Sequence, residues 1–218
     1  MTIKNIVVLV SGRGSNLLAL LATAQAEQWS TVVAARFAAV ISNEPDAKAL
    51  EVARAHGIAV HVVCHRDFTS RIEFDDALAG AIDRYAPALV ILGGFMRILS
   101  PAFVRRYAGR LINVHPSLLP SFAGLNTHQR ALDAGVRVHG ATVHFVSEEV
   151  DGGAIIAQAA VPVHADDDQV SLAARVLQQE HRLLPRAARH VLEGRVQCGG
   201  QRSLLTGIAP GELSLFSA

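Results

Sequence analysis

Short apolar runs alternate with longer mixed stretches along the first half of the chain. Ile6–Val10, Ala38–Ile41, Ala59–Val63 and Leu89–Leu92 read as buried strands, as in a parallel sheet whose two faces are both covered. Between them lie Ser15–Gln28, Asp46–His56 and Ser70–Tyr85, rich in Ala, Leu and charged residues and expected as helices. Pro45 sits where a helix start accepts proline. The rhythm predicts a doubly wound α/β half.

The second half changes pattern. Leu111–His115 is a short strand stopped by Pro116. His139–Ser147 and Ala154–Val163 flank Asp151-Gly152-Gly153, a hairpin or hairpin-like return. A helix is expected from about Val170 to Leu184, with Pro185 breaking or restarting it toward Val191. From Gly194 to Ala218 the periodicity is lost, and a mobile tail is the expectation. No repeat, linker or low-complexity segment separates the halves. The fold class expected is α/β: a Rossmann-like, mostly parallel sheet with helices on both faces and a mixed C-terminal hairpin region. One domain over 1–195 is expected, with halves 1–110 and 111–195, followed by a tail at 196–218.

Composition narrows the function classes. Half of the 218 residues are hydrophobic, enough for a sizeable core and against disorder or coiled coil. The net charge is +1, so no broad basic face is available for nucleic acid. Of the 20 basic residues only Lys4 and Lys48 are lysines, and arginine suits bidentate anion contacts. Two cysteines, Cys64 and Cys198, exclude a disulfide framework and a Cys-based zinc site. The longest apolar stretch, Ala88 to Met96, is broken by Gly93 and Gly94 and is too short for a bilayer. With no signal-like start, the chain reads as cytoplasmic and soluble.

Four places carry candidate chemistry. The turn Ser11-Gly12-Arg13-Gly14-Ser15-Asn16 precedes a helix whose first N–H groups favour an anion. Leu17 stands where a dinucleotide fingerprint needs its third glycine, and Walker residues are missing. The plainer alternative is a turn with Ser or Asn capping the helix. Asn113 and His115, two apart on a strand, share a face and suit an oxyanion at a carbonyl under attack; equally, they satisfy backbone at a strand end. Asp151 in Glu148-Glu149-Val150-Asp151-Gly152-Gly153 is either a turn former or a carboxylate holding His115 protonated. Glu180 falls in the apolar stripe Ala173, Val176, Leu177, Leu184, Ala187, so a ligand or an arginine partner is expected. His56, His61, Cys64 and His65 lack a metal-ligand geometry, and His139, His144, His181 and His190 read as structural or solvated.

Taken together, the Ser11–Asn16 turn, Gly94–Ser100, Asn113–Pro120, Val143–Val146 and Asp151–Gly153 resemble the folate-dependent phosphoribosylglycinamide formyltransferase family of purine synthesis. The likeness covers roughly 5 to 195 in motif order; Asn-x-His-x-Ser-Leu-Leu-Pro is shared with other formyl-folate enzymes, and the Gly-Arg-Gly-Ser-Asn turn narrows it. It implies the formyltransferase fold, 10-formyl-tetrahydrofolate as donor, glycinamide ribonucleotide as acceptor and no metal. It places catalysis on Asn113, His115 and Asp151. It assigns the ribonucleotide to Gly14, Ser15, Asn16, Gln178, Gln179 and Glu180. Folate falls to Arg71, Met96, Arg97, Ile98, Leu99, Asn113, Ser147, Glu148, Glu149, Val150 and Asp151. Family members often carry His where Asn126 stands, Pro at Ala123 and a polar residue at Leu177. The partners expected are small molecules, not nucleic acid or membrane, with a monomer or homodimer.

Three rivals stand beside this. A methionyl-tRNA formyltransferase is expected to add a C-terminal nucleic-acid domain and a basic face. A formyl-tetrahydrofolate hydrolase is expected to add an N-terminal regulatory domain. A nucleotide-binding module would use the glycine turn without catalysis, leaving Asn113, His115 and Asp151 unexplained.

Overall fold

The structure, a computed structural model, describes residues 2–209 and 211–216. The chain divides into two compact units, Met1–Ile112 and Asn113–Ala218.

The first unit is built from β1 (Lys4–Val10), α1 (Ser15–Ala26), α2 (Trp29–Val32), β2 (Ala35–Ser42), α3 (Lys48–Ala55), β3 (Ala59–Val62), α4 (Arg71–Asp83), β4 (Leu89–Leu92) and α5 (Pro101–Arg106). Its strands lie in the order β4-β1-β2-β3 and pair in parallel. β1 has a neighbour on each side, and Ile6 to Val10 are wholly buried, which is why that run is apolar without alternation. β3 departs from the expected buried strand: it is an edge, with Ala59 and Val62 exposed. Pro45 does not open a helix. α3 begins at Lys48 behind Ala47, and Pro45 lies in the turn closed by Ala47 N–H donating to the Glu44 carbonyl at 3.3 Å.

β5 (Leu111–His115) crosses the boundary at Ile112. The second unit continues with α6 (Thr127–Asp133), β6 (Val138–Phe145), β7 (Ile155–Pro162), α7 (Gln169–Leu192), β8 (Val196–Gly199), β9 (Arg202–Leu205) and β10 (Ser214–Phe216). β6 and β7 form the expected antiparallel pair, with Thr142 opposite Gln158. α7 packs along both strands. Its start is fixed by a reciprocal cap: Asp168 Oδ1 accepts from Ser171 N at 2.8 Å, and Ser171 Oγ accepts from Asp168 N at 2.9 Å.

Two expectations fail in this unit. Pro185 does not break α7, which runs unbroken through it to Leu192. Proline removes only the bond to the His181 carbonyl, while Leu183, Leu184, Ala187 and Ala188 hold that stretch in the core. The stretch after Gly194 is not a structureless tail. β8 and β9 pair antiparallel, and β10 adds to β7 in parallel. Residues 210 and 217–218 lie outside the described residues. Among the described residues no helix is long and apolar enough to cross a membrane.

Candidate active site

In the first unit the glycine turn ends β1 and opens α1. Gly14 is the N-cap residue at φ +83, and no side chain caps the helix. The alternative of a Ser or Asn cap is therefore not realised, and the helix start is left open for an anion. A Cβ at position 14 would stand 2.7 Å from Ala49 Cβ, so glycine is required for both conformation and space. Ser11 joins this turn to the segment after β4. Its N–H donates to the Gly94 carbonyl at 3.1 Å, its Oγ accepts from Met96 N at 2.8 Å and donates to Asn43 Oδ1 at 2.6 Å. Gly14–Asn16 and Met96–Leu99 are thereby tied to one frame. Met96, Arg97 and Ile98 are exposed, whereas Leu99 is buried. The Arg97 guanidinium lies over the Phe74 ring at 5.9 Å, and Arg71 is the exposed first residue of α4.

In the second unit β5 presents Asn113 and His115 from one face, and Asp151 meets His115 from the return between β6 and β7. His115 Nδ1 is 3.3 Å from Asp151 Oδ2, and His115 Nε2 is 3.1 Å from the Phe122 carbonyl. Both ring nitrogens face acceptors, and only the doubly protonated ring donates to both. Asp151 Oδ2 also accepts from Gly124 N at 2.8 Å. Asp151 sits at φ +55, a left-handed conformation that Asp tolerates better than most residues. Gly153 closes the return; a Cβ there would fall 1.7 Å from the Phe145 carbonyl oxygen.

His144, which its sequence position marks only as structural or solvated, joins the group. It is buried on β6, its Nδ1 lies 2.9 Å from the Phe145 carbonyl, and its Nε2 is 3.3 Å from Asn113 Nδ2. Burial pushes His144 below the usual imidazole range, against the raising effects of the Phe145 carbonyl and Asp151. The neutral ring then donates from Nδ1 and accepts at Nε2 from Asn113. Its 3.8 Å approach to Asp151 Oδ1 is too long for a hydrogen bond.

Behind His115 stand two more imidazoles. The His128 and His139 rings meet edge to face at 5.4 Å, and Phe122 meets His139 at 5.8 Å. Burial lowers His128, helped by the nearby His115, and pushes His139 down to about 4. His139 is not solvated. Neither is His190, which is buried between Glu193 and Glu212 at 3.5 and 3.3 Å.

The remaining expected residues are spread. Ser147 Oγ donates to the Glu149 carbonyl at 2.9 Å, and Glu148, Glu149 and Val150 are exposed. On α7, Gln179 and Glu180 are buried while Gln178 is exposed. Glu180 does interrupt a buried stripe, composed of Leu172, Val176, Leu183, Leu184 and Ala187; Ala173 and Leu177 are only half-buried. The loop departures are accommodated locally. Asn126 is the left-handed residue before α6, and Arg130 donates to the Ala123 carbonyl at 2.6 Å while lying over Phe122. Among the described residues no group of three or more His, Cys, Asp or Glu is placed to hold a metal ion.

Donors held at fixed positions beside a half-buried carboxylate suit an acyl oxygen that gains charge, which places the chain among α/β enzymes of group transfer. Residues 4–188 match the Formyl transferase family, and the chain belongs to that family. It is 48% identical over 203 residues to the phosphoribosylglycinamide formyltransferase of Escherichia coli (strain K12), covering 93% of this chain and 94% of that protein. The solved structure of the phosphoribosylglycinamide formyltransferase of Coxiella burnetii is similar over the full length of both chains, with 39% identity and a TM-score of 0.88. A formyltetrahydrofolate deformylase from Pseudomonas syringae is more distant, at 28% identity and a TM-score of 0.84 over 94% of this chain and 66% of that one.

Proposed function

We infer that this chain transfers the formyl group of 10-formyl-tetrahydrofolate to the amine of glycinamide ribonucleotide, a step of purine biosynthesis. The observation that carries the reading is His115 against Asp151 at the end of β5, with Asn113 two residues before His115 on the same strand and within reach of His144. An amide N–H and an imidazolium are the donor set an acyl oxygen needs, and the residues present fit a formyl donor.

In this reading Asn113 donates to the formyl oxygen, and His115 shares its Nε2 proton between the Phe122 carbonyl and that oxygen, while the ribonucleotide's amine adds to the formyl carbon. Asp151 orients His115 through Nδ1 and, directly or through water, moves a proton from that amine to the departing folate nitrogen. The formyl carbon gains one C–N bond and loses another, and no covalent enzyme intermediate is required. Gly14, Ser15 and Asn16 take the ribonucleotide's phosphate, a role supported by the open helix start. Gln178, Gln179 and Glu180 take its remaining polar groups, supported by the carboxylate in an apolar stripe. Arg71, Met96 to Leu99 and Ser147 to Asp151 take the folate, supported by the exposed apolar side chains of Met96 and Ile98. Small molecules are the partners, with neither nucleic acid nor membrane involved, in a cytoplasmic monomer or homodimer.

The test is folate release followed by absorbance, with and without glycinamide ribonucleotide. Dependence on the ribonucleotide supports transfer. Equal turnover without it makes the enzyme a deformylase.

A further inference from the structure

Thr142 stands on β6 two residues before His144 and is wholly buried. Its hydroxyl has one proton and two lone pairs to offer, and all three are used. Oγ1 donates to the Ser117 carbonyl at 2.7 Å and accepts from Leu119 N at 3.0 Å. It also accepts from Gln158 Nε2 at 3.0 Å, across the β6–β7 pairing that sets the two residues opposite each other. Gln158 Nε2 donates in addition to the Leu119 carbonyl at 2.9 Å. One hydroxyl and one amide thus grip three backbone groups in the first turn after β5.

That turn leads directly to the groups that frame His115. Ser117 N donates back to the His115 carbonyl at 2.9 Å, and Ser117 Oγ donates to the Ser121 carbonyl at 2.6 Å. Next come the Phe122 carbonyl at His115 Nε2 and Gly124 N at Asp151 Oδ2. Both ends of the imidazole's hydrogen-bond axis are therefore set by the segment that Thr142 anchors. Valine has the shape of threonine without the oxygen. In that position it would strand a buried N–H and a buried carbonyl, and the segment would move to satisfy them.

We propose that Thr142, assisted by Gln158, is a positioning residue for His115, clamping the 117–124 segment so that the Phe122 carbonyl and Gly124 N hold the imidazole and its carboxylate in line. The proposal rests on the reading of His115 as catalytic. Thr142 touches no reacting atom. Its effect falls on turnover rather than on binding, because misalignment by a fraction of an ångström weakens only the transition-state contact.

The test compares Thr142→Val with Thr142→Ser in steady-state formyl transfer, alongside the pH titration of the His115 ring by NMR. Thr142→Val is expected to lower kcat about tenfold or more, with the KM for glycinamide ribonucleotide within about twofold. Its His115 titration midpoint shifts as the ring loses its fixed acceptors. Thr142→Ser, which keeps the hydroxyl, is expected to restore both. Should Thr142→Val fail to fold, Gln158→Leu removes one donor and is expected to move kcat and the titration the same way by less. Wild-type kcat and an unchanged titration in whichever of the two folds overturn the proposal, even when stability has dropped. His115→Gln, measured in parallel, separates the two readings. Full transfer in His115→Gln overturns the catalytic assignment itself, whereas an inactive His115→Gln beside an unaffected Thr142→Val overturns the clamp alone.

Discussion

Asn113 and His144 are locked to one another through a tautomer. Because His144 spends its Nδ1 proton on the Phe145 carbonyl, its Nε2 is left as an acceptor, and Asn113 Nδ2 lies 3.3 Å from it. The bond settles which end of the Asn113 amide is nitrogen. That nitrogen carries a second N–H, which the proposed transfer directs at the formyl oxygen.

Replacing His144 with phenylalanine keeps a ring on β6 and removes the acceptor. Asn113 is then free to rotate its amide and to present its carbonyl where a donor is needed. Turnover should fall by about tenfold, with little change in either KM, since the loss concerns a contact that strengthens in the transition state. Steady-state kinetics check this, and an unchanged kcat would show that Asn113 needs no such orientation.

Anion recognition should reside in the turn before α1. Gly14→Val puts a branched side chain into a left-handed position and against Ala49. The KM for glycinamide ribonucleotide should rise by about tenfold or more, while that for the folate changes little. Some thermal stability should also be lost to the strain. Parallel rises in both KM values would mean damage to the fold instead of loss of a phosphate site.

Acid should destabilise the protein through His139. Its folded pKa of about 4 lies below the imidazole's ordinary 6.5, so the unfolded chain binds the proton more readily. The stability contribution is complete above pH 6.5 and is lost as the pH falls toward 4. For this one buried group the loss is on the order of 3 kcal/mol. Urea unfolding at pH 7.5 and pH 5 should show the drop in the wild type and a smaller one in His139→Gln, whose side chain does not titrate. Identical pH dependence in the two proteins would assign the effect elsewhere.

Where the chain is apolar for one reason, its sequence is easy to read. Leu89–Leu92 and Leu111–His115 form strands with the ends their patterns indicate, the second because Pro116 cannot continue it. Ala59–Val62 looks much the same, yet lies at an edge, since an apolar run does not say how many neighbours a strand has. Pro185 is a strong local signal overridden by packing on either side of it. β8, β9 and β10 are three or four residues each, too short for any period to register. In the candidate site, Asn113 and His115 are legible because a strand aligns alternate residues. His144 and Thr142 are not, because their value depends on which turn the β6–β7 hairpin brings against them.

Asp151 gives the most discriminating prediction. Its carboxylate receives Gly124 N and faces His115 Nδ1 at 3.3 Å, so it both shapes the return and supplies charge. Asp151→Asn separates those roles. Asparagine adopts the φ +55 conformation at least as readily, and its carbonyl oxygen can still accept from Gly124. What disappears is the negative charge beside the imidazole. Without it the ring loses its charged partner at Nδ1. The developing oxyanion then meets a weaker donor. Turnover should fall by about a hundredfold, the scale of losing one such electrostatic contact. Binding of either substrate should change little, because the Gly14–Asn16 turn and most of the residues proposed to take the folate are untouched. A turn former alone would tolerate asparagine well. Near wild-type kcat in Asp151→Asn would show that the carboxylate serves the backbone and not the imidazole.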